Sequence, residues 1–180
     1  MAYKEKRAPS PIWERRAKIR VYGRDVMSSQ VWKYMQSVKH HGDISRSLHC
    51  EDVAAEALVL AERFGITVSE KEMVRAALLH DAFYYDWKVQ GERRAFHAFV
   101  HGTIAARTAA GEVPLTRKEC NCIRAHMFPA ALGIPLSREA WLITIADKIC
   151  SVREYKEAYG TDSFLKAFVM VRLLKRARAG

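Results

Sequence analysis

His80 and Asp81, in the run ALLHDAF, carry the clearest chemical signal in this chain. Imidazole and carboxylate are both costly to bury unless something pairs with them. Side by side they suit a divalent cation of intermediate hardness, which accepts a neutral ring nitrogen and an anionic oxygen together. Neighbouring helix positions diverge by roughly 100°. One ion can take both only if it sits between their directions or if the helix loosens there, and other helices must then close its shell. Two more residues fit. His49 lies near the start of a segment whose far face is apolar, and Asp147 sits deep in AWLITIADKIC. A buried Asp must be paired or protonated. Asp147 therefore asks for a cation, either a metal or, in the plainer reading, Lys148 or an arginine.

The order His49, then His80-Asp81, then Asp147 resembles the HD-domain superfamily, and the match runs roughly from His41 to Tyr155. The flanking words VAAEALVLAERFG, ALLHDAFYYDW and ITIADKICSVRE look like that superfamily too. The resemblance implies an all-α, single-domain bundle of about six to eight helices. It also implies a metal-dependent phosphohydrolase that holds its ion with His49, His80, Asp81 and Asp147. In the two-metal branch, which includes HD-GYP-like domains, further histidines lie between the His-Asp pair and the last Asp. By that likeness Asp81 bridges two ions and His101 and His126 take the second. The Gly-Tyr-Pro triplet is missing, and one His stands at 126 where that branch has a pair. A cyclic-dinucleotide phosphodiesterase is thus only one option.

The implied chemistry is attack of metal-activated water on a phosphomonoester or phosphodiester of a nucleotide or other small metabolite. Asp81 would orient the water or take its proton. Lys148 would bind a phosphate or form a structural ion pair. His97, Arg93, Arg94 and Arg124 are candidate substrate contacts, the arginines as phosphate clamps. Each could equally be a surface residue. His97 and His101 are four apart and share a helix face. Tyr84, Tyr85 and Trp87 could stack on a base or pack in the core, and Asp86 is a candidate general acid. His41, which opens a turn before His49, could orient the site or be a plain turn residue. One or two divalent ions are expected, and Mn, Fe, Mg, Co, Ni and Zn all suit such ligands. The alternative is an HD-fold regulatory or nucleotide-binding module without turnover.

Composition narrows the field. Of 180 residues, 49% are apolar and 28% charged, so the whole chain reads as globular. The net charge of +10 attracts anions. Lys and Arg are scattered rather than clustered, which favours a phosphorylated small molecule over nucleic acid as partner. There is no Gly-rich phosphate loop and no Gly-x-Ser-x-Gly. The four cysteines do not form paired CxxC motifs. Without an apolar leader or spanning run, the expectation is a cytoplasmic protein with reduced thiols and no membrane contact. Oligomerisation is left open.

Periodicity and caps supply the helices that must position these residues. Residues 1–27 read as a basic N-terminal arm, either an ordered arm, a short helix or a tail. Residues 28–180 read as the HD domain. Helices are expected after Ser28 or Ser29, from Ser45 or Ser47 to Phe64, from a capping box at Ser69–Glu72 to His80, over about 97–110, from a box at Thr116–Glu119 to His126, from Ser137 to about Tyr159, and from Thr161 or Asp162 onward.

Overall fold

The computed structural model describes residues 9–40, 42–86 and 94–160. Among them lie eight helices: α1 (Ile12–Tyr22), α2 (Arg24–Met27), α3 (Gln30–Ser37), α4 (Arg46–Phe64), α5 (Glu70–Leu79), α6 (Arg94–Glu112), α7 (Arg117–Ala125) and α8 (Arg138–Tyr159). No strand occurs among the described residues, and a single bridge joins Lys39 to Ser45. The architecture is all-α, as expected. No helix among the described residues is long and apolar enough to cross a membrane.

Local chemistry sets the helix ends. The hydroxyls of Ser29, Ser45, Thr116 and Ser137 each accept from a backbone N–H in the first turn of the helix they open. Thr116 and Glu119 form the full reciprocal box. Gly65 closes α4 at φ 62°, a left-handed conformation that glycine adopts without steric cost.

The box expected at Ser69–Glu72 does not form. The Ser69 side chain caps no backbone donor. The Ser69 N–H instead donates to Glu139 Oε1 at 2.8 Å. Glu72 is drawn to Thr116 Oγ1 at 2.8 Å and Lys118 Nζ at 2.7 Å. Tertiary partners on α7 and α8 displaced a local motif.

α4 is the central helix and packs on α1, α3, α5 and α8. Its buried face carries Val53, Ala54, Ala57 and Leu58; Val74, Ala77 and Leu78 face it from α5, and Ala146 and Cys150 belong to the same core on α8. Many of these are alanines, and small side chains at facing positions let helix axes approach closely. The basic stretch before Ser28 is helical from Ile12 to Met27 except at Gly23. α1 lies on α4 and α5, and Lys18 pairs with Glu70 at 2.9 Å. The helix expected from Thr161 lies outside the described residues.

One buried arginine ties three elements together. Arg75 on α5 donates through Nε to Glu119 Oε1 on α7 at 2.6 Å. It also donates to the Pro114 carbonyl at 2.7 Å and to Asp25 on α2. Five residues further along the chain stands His80.

Candidate metal centre

Five segments deliver their polar side chains to one buried place. His49 comes from the first turn of α4, His101 from α6 and Asp147 from the middle of α8. His80 is the residue that caps the C-terminus of α5, and Asp81 follows in a turn. The helix therefore does loosen where the pair sits, which allows two neighbours to face one region. His126 caps α7 in the same manner.

Two carboxylates organise the cluster. Asp147 Oδ1 lies 3.3 Å from His49 Nε2 and 3.7 Å from His80 Nε2. Asp81 Oδ1 lies 3.4 Å from His101 Nε2 and 3.7 Å from His126 Nε2. Asp81 Oδ2 lies 3.5 Å from His40 Nε2. Three sets of residues each bring ligand atoms within 4.8 Å of one another: His40, His49 and Asp81; His49, His80 and Asp147; and His80, Asp81 and His126. Each set could hold a metal ion.

The far side of every ring explains its orientation. His80 Nδ1 lies 2.7 Å from the Ala77 carbonyl, His101 Nδ1 2.9 Å from the His97 carbonyl, and His126 Nδ1 2.8 Å from the Ile123 carbonyl. These partners only accept, so Nδ1 carries the proton and donates. Glu154 does the same for two rings at once. His49 Nδ1 donates to its Oε1 at 2.8 Å and His40 Nδ1 to its Oε2 at 3.1 Å. Each ring therefore turns its Nε2 toward the carboxylates. Such outer hydrogen bonds fix the tautomer that a metal requires.

Electrostatics point the same way. His49 Nε2, His80 Nε2 and Asp81 Oδ1 are buried and make no hydrogen bond. Buried polar atoms seldom go unsatisfied without a reason. His101 Nε2 and His126 Nε2 face each other at 2.7 Å although both Nδ1 atoms already donate elsewhere. Two lone pairs at that distance need a shared proton or a cation between them. Burial alone would push the Asp81 carboxyl up, but His80, His101, His126 and His40 outweigh it and hold the group well below the usual carboxylate range. Asp147 is likewise opposed by burial, yet His49, Lys148 and His80 keep it well below that range. Burial would lower His49, but Asp147 and Glu154 push it up to about 10. Those carboxylates demand a positive charge at this point, a proton or a metal ion.

The surroundings are as ordered as the cluster. Arg46 is fully buried, with its guanidinium 3.9 Å from the Phe83 ring centroid. It donates to the carbonyls of Phe83 at 2.8 Å and Tyr85 at 3.0 Å, and so fastens the segment that follows Asp81. Lys148 Nζ donates to Asp147 Oδ2 at 2.6 Å and to the His126 carbonyl at 3.1 Å. An ion pair and a ligand role are compatible at Asp147, since Oδ2 takes the lysine and Oδ1 faces the imidazoles.

Gly102 sits beside His101 where α6 crosses α7. A Cβ there would meet the Arg124 carbonyl at 2.8 Å. Gly102→Ala should therefore push α6 off α7 and cost about 1–3 kcal/mol, read as a lower midpoint in urea unfolding. A midpoint equal to the wild type would show that the crossing has slack.

The sequence expectations divide accordingly. His49, His80, Asp81, His101, His126 and Asp147 come together, with Lys148 at their edge. His97 stands one turn from His101, its ring stacked on that ligand candidate at 4.6 Å between centroids, and its Nδ1 lies 3.1 Å from the Tyr85 hydroxyl. Arg124 is exposed and lies two positions, roughly 200°, from His126, so it is not brought to the cluster. Arg93, the side chain of Arg94, His41 and Trp87 lie outside the described residues. Cys50 and Cys150 are buried thiols that burial pushes up, Cys150 to about 12. Packing accounts for them.

Two site residues went unread. Glu154 is a charged residue in SVREYKE, where charge looks like a solvated face; its place seven residues, two turns, after Asp147 was the available signal. His40, which the sequence does not set apart from its neighbour, stands at the cluster.

An all-helical frame carrying a buried cluster of paired His and Asp is the arrangement that the sequence resemblance implied. The HD domain family model matches residues 46–151, more than half of the chain, and this protein belongs to that family. Neither a curated protein nor a solved structure matches the chain.

Proposed function

We propose that the cluster binds two divalent ions and hydrolyses a phosphoester of a small metabolite, a nucleotide among the candidates. The observation that carries this reading is the set of buried atoms that make no hydrogen bond, His49 Nε2, His80 Nε2 and Asp81 Oδ1, each of which faces another member of the cluster at 3.3–3.7 Å. His49, His80, Asp81 and Asp147 would hold one ion, and Asp81, His101 and His126 the other. Ions held there would acidify a coordinated water and neutralise charge on the phosphoryl oxygens.

The chain's own residues do the rest. Glu154 and the three backbone carbonyls hold the rings in register, so little reorganisation is needed when ligands bind. The Asp81 carboxylate stays ionised and can orient a nucleophile between its two oxygens. Lys148, partly exposed beside Asp147, offers its ammonium to a substrate phosphate. Phe128, Trp141, Ile145 and Ile149 line an open groove of about 590 Å³ with Lys148 at its rim. That groove gives the apolar part of an ester a surface to lie on. His97 and the Tyr85 hydroxyl face the same cluster from α6 and the segment after Asp81.

Hydrolysis is tested by loading the protein with Mn, Fe or Co and screening phosphorylated metabolites. Turnover that chelation abolishes and metal restores is the expected result. A fully loaded protein inert toward the whole panel would favour a regulatory module. Glu154→Gln keeps the volume but weakens the grip on His40 and His49. It should lower metal affinity roughly 10- to 100-fold by chelator competition, and an unchanged affinity would mean that Glu154 serves packing alone.

A further inference from the structure

The turn between α3 and α4 is built for one side chain. Lys39 and Ser45 form a bridge. The His40 N–H donates to the Ile44 carbonyl at 2.7 Å, and the Arg46 N–H to the Val38 carbonyl at 2.8 Å. Gly42 adopts φ 56°, and a Cβ there would come within 2.9 Å of the Ala158 methyl near the end of α8. The turn is thus closed on itself and pressed against α8, one helical turn beyond Glu154. In this turn the His40 ring lies on the His49 ring, with centroids 3.9 Å apart and planes 20° apart. One carboxylate, Glu154, takes the Nδ1 protons of both.

Two nearly parallel rings anchored at the same end must point their other nitrogens the same way. His40 Nε2 therefore faces the cluster beside His49 Nε2, 3.5 Å from Asp81 Oδ2, and these three residues could hold one ion together. His40 is 8% exposed, and it precedes residues 46–151, the segment covered by the family model.

We propose that His40 is a further ligand of the metal centre, binding through Nε2 an ion that it shares with Asp81. The inference rests on the metal-centre reading above and extends it by one donor from outside the family segment. A fifth imidazole makes the donor set richer in nitrogen. That favours later transition metals over Mg, whose preference is for oxygen.

The test uses the intact chain loaded with Co²⁺. An imidazole that binds through Nε2 keeps its Nδ1–H, and paramagnetic Co²⁺ shifts that exchangeable proton far outside the normal NMR window. The wild type should show five such signals, from His40, His49, His80, His101 and His126, each lost in D₂O. His40→Gln, whose amide can still donate to Glu154, should show four and should bind the metal at least tenfold more weakly. Four signals in the wild type, or the same number in both proteins, would overturn the assignment, and the wild-type count decides it even if the variant does not fold. Failure of the wild type to bind Co²⁺ would instead sink the metal-centre reading itself.

Discussion

Asp81→Ala should leave a folded protein that retains neither its full metal complement nor its turnover. Asp81 is the residue that both halves of the cluster share: Oδ1 faces His101 and His126, and Oδ2 faces His40. Removing it takes away the anionic donor that the two proposed ions would share and strands several buried imidazoles without a counter-charge. Loss of one preorganised stabilising group in a reaction centre commonly costs on the order of 10²–10³ in rate. Loss of a shared ligand should cost at least that much. Phosphoester turnover and elemental analysis on the same sample check it. The fold should survive, because the α4, α5 and α8 core does not pass through this carboxylate. Turnover at the wild-type rate from Asp81→Ala would place the chemistry elsewhere.

Arg75→Met has the largest expected effect on stability. Arg75 is 6% exposed, and its guanidinium meets Glu119, Asp25 and the Pro114 carbonyl. Methionine fills much of the volume but leaves Glu119, 2% exposed, with its Oε1 uncompensated. Breaking a buried pair by removing one partner costs about 3–5 kcal/mol. For a chain of this size that is a drop of roughly 6–20 °C in Tm. The double variant Arg75→Met, Glu119→Gln should recover part of the loss, since the stranded charge goes with the glutamate. A single variant that melts within 2 °C of the wild type would mean that the pair contributes nothing net. The consequence reaches the site, because Arg75 joins α5, which His80 caps, to α7, which His126 caps.

How much of this could be read from residues alone follows from the cost of burial. His80, Asp81 and Asp147 stood out because polar groups inside apolar runs must have a partner. His101 and His126 stood out only through family likeness, since nothing in their own neighbourhoods forbids a surface histidine. Glu154 and His40 stayed hidden for the opposite reason. Each sits in a stretch where a polar residue is ordinary, and each is buried only because α8 crosses α4 and the α3–α4 turn closes on α8. Arg46 belongs with them: three residues before His49, it looks like a surface arginine until Phe83 and the carbonyls after Asp81 surround it. The helices were legible from caps and apolar spacing, as at Ser45, Thr116 and Ser137. The failed box at Ser69 marks the limit, because Glu72 found better partners in residues far along the chain.

The metal centre is tested most directly by counting ions. The full chain, purified after metal supplementation, freed of loosely bound ions on a desalting column and subjected to elemental analysis, should retain two divalent ions per chain. Fewer than one ion per chain, across Mn, Fe, Co, Ni and Zn, would contradict a metal site at His49, His80, Asp81 and Asp147.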